Sequence, residues 1–321
     1  MKKVFIISPK SIAGELIIDG FACAFKNIGY RVLLKKIDEV TLNELEKFNP
    51  DIIFGYDYSY LTDQGCKEII QKIQFKNRIF YFGDEPKSKF SLGEKNELYD
   101  ELSNLDATVF VWDKAFTKEF KKCYYLPLAV NPLKYATEFS GYKYAITFVG
   151  RPLTDKRQKI LSCLVKSFGN KLNIFCYEKH FEKSVEEIKE KKLLEGHELE
   201  IYKKSYKGFV KTESELAKIY NSSEINLNIT EQGKSSLNYR VFEVLASGGF
   251  LLTDEKKDVQ KYFIPSKQLE TYKNETDLTD KIEFYFQNPG IAQRIAHLGR
   301  YECIKSHSFD ERIKTIIKKI T

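Results

Sequence analysis

Short apolar runs rich in β-branched and aromatic residues alternate along the whole chain with longer amphipathic stretches. This alternation constrains the fold most strongly, because it is typical of βα units around a parallel sheet, in which a crossover helix follows each strand. The runs of the first half lie at residues 3–8, 31–37, 51–56, 78–82, 107–112 and 123–126. Those of the second half lie at residues 144–149, 173–177, 200–203, 225–229, 250–253 and 268–272. The sequence therefore predicts an α/β fold.

The alternation lapses once, between residues 128 and 143, where turn-forming Asn-Pro and Ser-Gly pairs replace it. A chain of 321 residues also exceeds the size at which one hydrophobic core usually stops growing. We therefore predict two open α/β domains, residues 1–136 and 137–303, and a helix at 304–321 that packs back towards the first domain. Ligands of open parallel sheets bind beyond the carboxyl ends of the strands, so we expect the ligand in a cleft between the domains.

Composition argues against several classes of protein. No apolar run approaches the roughly 18 to 20 residues that cross a bilayer, and the N-terminal apolar stretch is too short for a signal peptide. The six cysteines form no C-x-x-C pair and have no histidines at metal-ligand spacing, so we expect reduced thiols in a cytoplasmic protein. The net charge of +7 is dispersed, which argues against a nucleic-acid partner. The lysines of the last helix permit contact with the inner face of a membrane.

A first candidate site is the segment FVGRPLTDKR at residues 148–157, where a predicted strand stops at Gly150 and cations follow before a helix. Backbone N–H groups at the start of that helix could bind the oxygens of a diphosphate together with the side chains of Arg151 and Lys156. A solvated turn whose cations face water explains the same residues equally well.

A second candidate is the segment NYRVFEVLASGGFLLTD at residues 238–254, which predicts a short helix, a Gly-Gly turn and a buried strand. Glu243 stands on the polar side of that helix, where a carboxylate suits the two vicinal hydroxyls of a ribose. Arg240 lies on the same side and could reach phosphates, or form a surface salt bridge. Gly248 and Gly249 would let backbone approach a ligand, or would cap the helix.

Residues 238–254 resemble the CgeB-like (spore maturation protein B-like) glycosyltransferases of the GT-B superfamily. Segments 277–289, 295–300 and 306–312 are similar to that family's C-terminal helices and closing tail, and the resemblance covers residues 124–317. It implies a GT-B fold, in which an N-terminal Rossmann-like acceptor domain and a C-terminal Rossmann-like donor domain face each other across a central cleft. It also implies a nucleotide-diphosphate sugar as co-substrate, a cell-surface glycan, lipid or protein as acceptor, and no further cofactor.

The resemblance assigns roles to individual residues. Glu243 matches the carboxylate that holds the donor ribose, and Arg151 with Lys156 resembles the pair that neutralises the diphosphate. The turn that contains Ser11 and Gly14 would touch the acceptor or the transferred sugar.

The chain departs from the family pattern at one position. Many retaining GT-B enzymes carry another glutamate eight positions before the ribose carboxylate, whereas this chain has Ser235 there. Ser235, Ser236 and Asn238 could bond sugar hydroxyls instead, or form a capping cluster. The departure also supports an alternative function, a catalytically silent nucleotide-sugar-binding protein.

All four histidines lie in the second half of the chain. If a base from the first half acts on the acceptor hydroxyl, it must therefore be a carboxylate. Asp84 and Glu85 follow a predicted strand and are the candidates, although a plain turn explains them as well. We favour a retaining front-side substitution in which the leaving diphosphate accepts the proton. No Asp-x-Asp metal-binding motif occurs, so we predict that the enzyme uses no metal ion. Arg151 and Lys156 would take the place of a divalent cation at the diphosphate.

Overall fold

The computed structural model describes residues 1–88, 91, 96–136 and 138–321. The chain divides into two compact units. Unit 1 consists of Met1–Asn131, Gln232–Leu237 and His307–Thr321, and unit 2 consists of Pro132–Glu231 and Asn238–Ser306. The predicted first residue of the second domain, 137, lies outside the described residues.

Unit 1 contains a six-stranded parallel sheet in the order β2-β1-β3-β4-β5-β6. Its strands are β1 (Lys3–Ser8), β2 (Arg31–Lys36), β3 (Ile52–Tyr56), β4 (Asn77–Phe82), β5 (Thr108–Val111) and β6 (Cys123–Tyr125). Its first helices are α1 (Ile12–Asn27), α2 (Leu42–Phe48), α3 (Gln64–Gln71) and α4 (Asn96–Asn104). Short 3₁₀ turns lie at Ile37–Glu39, Ser59–Leu61 and Lys114–Phe116. The central strands β1 and β3 consist mainly of buried apolar residues, at 4–7 and 52–54, as parallel strands with both faces covered require.

Unit 2 contains a five-stranded parallel sheet in the order β11-β10-β9-β7-β8. Its strands are β7 (Tyr144–Val149), β8 (Leu172–Phe175), β9 (Ser223–Asn228), β10 (Leu251–Asp254) and β11 (Glu270–Tyr272). Its helices are α5 (Asp155–Phe168), α6 (Glu178–Glu190), α7 (Gly196–Lys204), α8 (Glu213–Asn221), α9 (Tyr239–Ala246), α10 (Val259–Tyr262), α11 (Glu275–Gln287) and α12 (Pro289–Ser306). A 3₁₀ turn at Gly169–Lys171 follows α5. The α/β prediction is therefore confirmed.

One predicted strand is wrong. Residues 200–203 lie inside α7, which buries Leu199 and Tyr202, three positions apart, on one helix face. Glu200 and Lys203 form an ion pair at 2.7 Å at the same helical spacing. The chain touches the sheet just beyond the helix, by a single parallel bridge between Tyr206 and Ile174.

The last helix, α13 (Phe309–Ile320), belongs to unit 1 and packs on α1. The Phe309 ring covers Gly20, where an added Cβ would lie 2.1 Å from the ring. Arg312 donates hydrogen bonds to the carbonyls of Pro127 at 2.8 Å and Leu128 at 2.9 Å. Unit 1 therefore contains both the N-terminal and the C-terminal segments of the chain. Within the part of the chain that the structure describes, no helix is both long and apolar enough to span a bilayer.

Candidate functional site

The turn between β7 and α5 is shaped by a glycine. Gly150 has φ +142°, a value that L side chains rarely adopt, and its N–H donates to the carbonyl of Phe175 at 2.9 Å. A Cβ at this position would lie only 2.5 Å from a guanidinium nitrogen of Arg240. Glycine therefore allows the cation of α9 to lie directly against the backbone of this turn.

Arg157, which the sequence pattern does not single out as a site residue, holds the turn in place. It is buried and donates to the carbonyls of Ile229 at 2.9 Å and Arg151 at 2.9 Å, and it forms an ion pair with Glu231 at 2.6 Å. Burial, and the nearby positive charge of Arg240, lower the pKa of the Arg157 guanidinium to about 10, so it keeps its charge at neutral pH. Its role is to tie the β7–α5 turn to the end of β9.

The two cations predicted to bind a diphosphate each have a carboxylate partner in unit 2. Arg151 lies 3.4 Å from Glu231, and Lys156 forms an ion pair with Asp254 at 2.7 Å. The carboxylate of Asp254 also accepts hydrogen bonds from the backbone N–H and the hydroxyl of Thr230. Both cations keep substantial exposure, 35% for the Arg151 side chain and 48% for that of Lys156, whereas Asp254 is buried. Lys156 also lines a cavity of about 360 Å³ beyond β10 and β11.

The start of α9 adds a third cation. Asn238 is its N-cap residue, and Asn228 at the end of β9 accepts hydrogen bonds from both Asn238 and Arg240 at 3.0 Å. Two buried polar atoms here, Asn238 Oδ1 and Arg240 Nε, have no hydrogen-bond partner among the described residues. The predicted residues Gly150, Asn238 and Arg240 thus meet at the carboxyl ends of β7 and β9.

Glu243 occupies a more enclosed position than the sequence suggested. It is 7% exposed, and the hydroxyl of Tyr135 donates a hydrogen bond to its carboxylate at 2.7 Å. Burial raises the pKa of the Glu243 carboxyl, while the Tyr135 hydrogen bond and the charge of Arg240 act in the opposite direction. The carboxylate that the sequence places on the polar side of α9 is therefore buried and already accepts a hydrogen bond.

The glycine pair lies at the other end of α9. Gly248 has φ +75°, and the N–H of Gly249 donates to the carbonyl of Val244 at 3.1 Å. A Cβ at Gly249 would collide with the backbone of Tyr220 at 2.6 Å. These contacts fit the capping interpretation of the two glycines, and their approach to a ligand stays a prediction.

Ser235 and Ser236 belong to unit 1 and bind a residue that the sequence analysis missed. One carboxylate oxygen of Asp113 accepts from the backbone N–H groups of Lys234, Ser235 and Ser236 at 2.8, 2.9 and 3.1 Å. The Ser235 hydroxyl donates to the other oxygen at 3.2 Å. Here both serines serve to hold their own loop. Asp113 could have been noticed, because it directly follows the predicted strand 107–112.

Asp84 and Glu85 hold the same loop. Gln232 donates its amide to Asp84 at 2.9 Å, and the N–H of Gly233 donates to Glu85 at 3.0 Å. Both carboxylates therefore already accept hydrogen bonds within unit 1.

A cavity of about 480 Å³ lies in unit 1 at the carboxyl ends of β1 and β3, and Ser11 lines it. Ser11 caps α1 by accepting from the N–H of Gly14 at 3.3 Å. The buried Asp57, with φ +46°, lines the same cavity. Burial and the negative charge of Asp84 raise the pKa of the Asp57 carboxyl well above its usual range.

Comparisons with known proteins agree with this architecture. The family model described as glycosyl transferase-like matches residues 157–318, half of the chain. A search of curated proteins gave no match. Among solved structures, an alpha-glucosyltransferase in complex with UDP aligns over all of both chains with 13% identity and a TM-score of 0.73.

Two further solved structures are similar over the whole chain. HepE of Anabaena in complex with UDP-glucose has 9% identity and a TM-score of 0.69, over 100% of this chain and 99% of that one. Sucrose-phosphate synthase of Thermosynechococcus elongatus has 11% identity and a TM-score of 0.68, over 100% of this chain and 99% of that one. At these identities the likeness concerns the fold, and it confirms the predicted GT-B fold. The chain, built from two parallel α/β units, belongs to the glycosyl transferase-like family and is a glycosyltransferase.

Proposed function

We propose that the protein transfers a sugar from a nucleoside diphosphate sugar to a cell-surface glycan, lipid or protein, as a member of the CgeB-like subfamily. One observation supports the donor site: Asn238 Oδ1 and Arg240 Nε are buried beside the glycine turn of Gly150 and have no hydrogen-bond partner among the described residues. Buried polar groups in native proteins are almost always paired, so such atoms at the carboxyl edge of a parallel sheet indicate a ligand with polar oxygens.

The diphosphate would be bound by Arg240, Arg151 and Lys156. The last two can rotate from their carboxylate partners because their side chains are partly exposed, whereas the buried Arg157 would remain the support of the turn. Together the three cations can stabilise the charge of a leaving diphosphate. The proposed reaction accordingly needs no metal ion.

The ribose would bind at Glu243. Because Tyr135 already donates to this carboxylate, ribose binding requires that the tyrosine share the carboxylate or move. Similar structures were solved with UDP and with UDP-glucose, so a UDP-sugar is the first donor to test.

The acceptor would bind in the cavity of unit 1 that Ser11 and Asp57 line. Asp84 and Glu85 are less suited to act as a base, since both already accept hydrogen bonds from the loop at residues 232–237. We therefore keep the retaining front-side path. The acceptor oxygen bonds to the anomeric carbon as the bond from that carbon to the diphosphate breaks, and the acceptor proton passes to the departing diphosphate.

A silent nucleotide-sugar-binding protein is the second candidate. The position of the family's sugar-facing glutamate is occupied by Ser235, whose N–H and hydroxyl both bond to Asp113. Such a protein would bind the donor without turnover.

Binding of nucleotides tests the donor site. Titration calorimetry with UDP, GDP, ADP, CDP and dTDP should identify one that binds, and Arg240→Gln should weaken it by about ten- to a hundredfold, since a charge-assisted hydrogen bond is lost. Arg294→Gln, an exposed arginine of α12, is the matched control and should bind normally. Equal affinity of the two variants, or no binding by the folded wild type, would overturn the proposed site.

A further inference from the structure

A second cavity lies in unit 2 at the edge of the sheet opposite to the proposed donor residues. Its volume is about 230 Å³. Ser223, the first residue of β9, and Phe250, which precedes β10, line it, so it opens at the amino ends of these strands. The donor residues follow the carboxyl ends of β7, β9 and β10, and six residues of strand correspond to a separation of roughly 20 Å. The two places can therefore be occupied independently.

The mouth of this cavity carries two aromatic rings that the fold does not need for its core. Phe139 is 54% exposed and Tyr142 is 37% exposed, and their rings contact edge to face with centroids 5.0 Å apart. Exposed aromatic rings beside a concave surface are typical of a binding site rather than of core packing. The apolar faces of sugar rings can pack on such rings, while sugar hydroxyls need hydrogen-bonding groups nearby.

Those groups line the rest of the cavity, which contains the amides of Asn221 and Gln293, the imidazole of His297 and the guanidinium of Arg300. No carboxylate occurs among the described residues that line it. Arg300 is half-buried, and no hydrogen bond or ion pair ties its guanidinium to another described residue. An arginine fork without a carboxylate partner binds a planar carboxylate well.

We infer that this cavity, with the aromatic pair Phe139 and Tyr142 and the cation Arg300, binds a carboxylated sugar residue of a glycan, at a site separate from the donor site. The aromatic rings pack on the sugar ring, and the guanidinium binds its carboxylate. Such a site would hold a glycan chain on unit 2 whether or not a nucleotide is bound.

Titration calorimetry of the full chain tests this inference with two probes that share N-acetylglucosamine. A hyaluronan tetrasaccharide carries glucuronate, and chitotetraose is neutral. The wild type should bind the hyaluronan probe with a Kd on the order of 0.1 to 1 mM and about tenfold more tightly than chitotetraose, because the charge-assisted hydrogen bond is lost with the neutral sugar. Saturating UDP should leave the affinity unchanged.

Variants separate the roles of the lining residues. The double change Phe139→Ala and Tyr142→Ala should weaken both probes by about tenfold through lost ring contact, and Arg300→Gln should remove the preference for the acidic probe. Tyr301→Ala removes a ring that is 62% exposed on the same helix as Arg300, and it is the matched control that should bind as the wild type does. The inference is overturned if the wild type binds neither probe at millimolar concentration, if UDP displaces the probe, or if the control loses as much affinity as the double variant.

Discussion

Replacement of Asp113 by asparagine should destabilise unit 1 strongly. The carboxylate is completely buried, and one of its oxygens accepts from three consecutive backbone N–H groups, those of Lys234, Ser235 and Ser236. The other oxygen accepts from the N–H of Ala115 at 2.9 Å. Asparagine keeps the shape of the side chain but removes the charge and one of the two acceptors.

The magnitude follows from those bonds. A hydrogen bond to a charged group contributes about 1.5 to 3 kcal/mol and a neutral one about 0.5 to 1.5 kcal/mol, so each of the three backbone bonds loses roughly 1 kcal/mol. The asparagine NH₂ cannot accept the bond from the N–H of Ala115, so that hydrogen bond is lost as well. We expect Asp113→Asn to lower the free energy of unfolding by about 3 to 4 kcal/mol at pH 7.

Urea unfolding followed by tryptophan fluorescence is a suitable assay. The single tryptophan of the chain, Trp112, is buried beside Asp113, and it packs so closely on Gly233 that a Cβ there would lie 2.2 Å from its ring. Its emission therefore reports on this loop. Asp106→Asn, which removes an exposed carboxylate paired with Lys122, is the control and should unfold at the wild-type urea midpoint.

The stability difference between the wild type and Asp113→Asn should decrease at acidic pH. Although burial raises the pKa of the Asp113 carboxyl, the four backbone N–H groups outweigh it and hold the pKa below the usual value. A lowered pKa in the folded state contributes stability above the unfolded value of about 3.9, and this contribution is lost as pH falls through the folded value. The difference between wild type and variant should thus be constant from pH 5 to 8 and shrink below pH 4. A difference below about 1 kcal/mol at pH 7, or one that grows in acid, would refute the reasoning.

Three further changes follow from close contacts. Gly150→Ala should weaken nucleotide binding in calorimetry, because the new Cβ would lie 2.5 Å from a guanidinium nitrogen and the backbone has φ +142°; unchanged affinity would contradict this. Tyr135→Phe should lower stability to urea at pH 7 by about 1 to 3 kcal/mol, since Glu243 loses a buried hydrogen-bond donor, and an unchanged midpoint would count against it. Gly20→Ala should release the last helix to limited proteolysis, because a Cβ would lie 2.1 Å from the Phe309 ring; a wild-type digestion pattern would disagree.

Most strands could be predicted because parallel strands covered on both faces need continuous apolar runs, as in β1 and β3. Residues 200–203 show the limit of that signal. The pair Ile201 and Tyr202 is β-branched and aromatic, as in a strand, but Tyr202 with Leu199 also fits the buried face of a helix. A run of four residues cannot distinguish the two periods.

The candidate site was predictable where the chemistry lies in one short segment. The cations Arg151 and Lys156 could be selected from the strand-turn-helix pattern, and both lie at the carboxyl edge of the unit 2 sheet. The contact of Arg240 with Gly150 joins segments 90 positions apart, and the role of Ser236 rests on its backbone N–H rather than its side chain. Neither the long-range contact nor the backbone hydrogen bond leaves a pattern in the sequence.

Turnover of a nucleotide sugar tests the central claim most directly. The purified protein is incubated with UDP-glucose and, in parallel, with the sugars of the other nucleotides, and the release of nucleoside diphosphate is measured with and without a metal chelator. The account predicts release from one donor that persists in the chelator and falls at least tenfold in Arg240→Gln, with Arg294→Gln as active as wild type. Tight donor binding without any release of diphosphate would contradict it and would identify a silent nucleotide-sugar-binding protein.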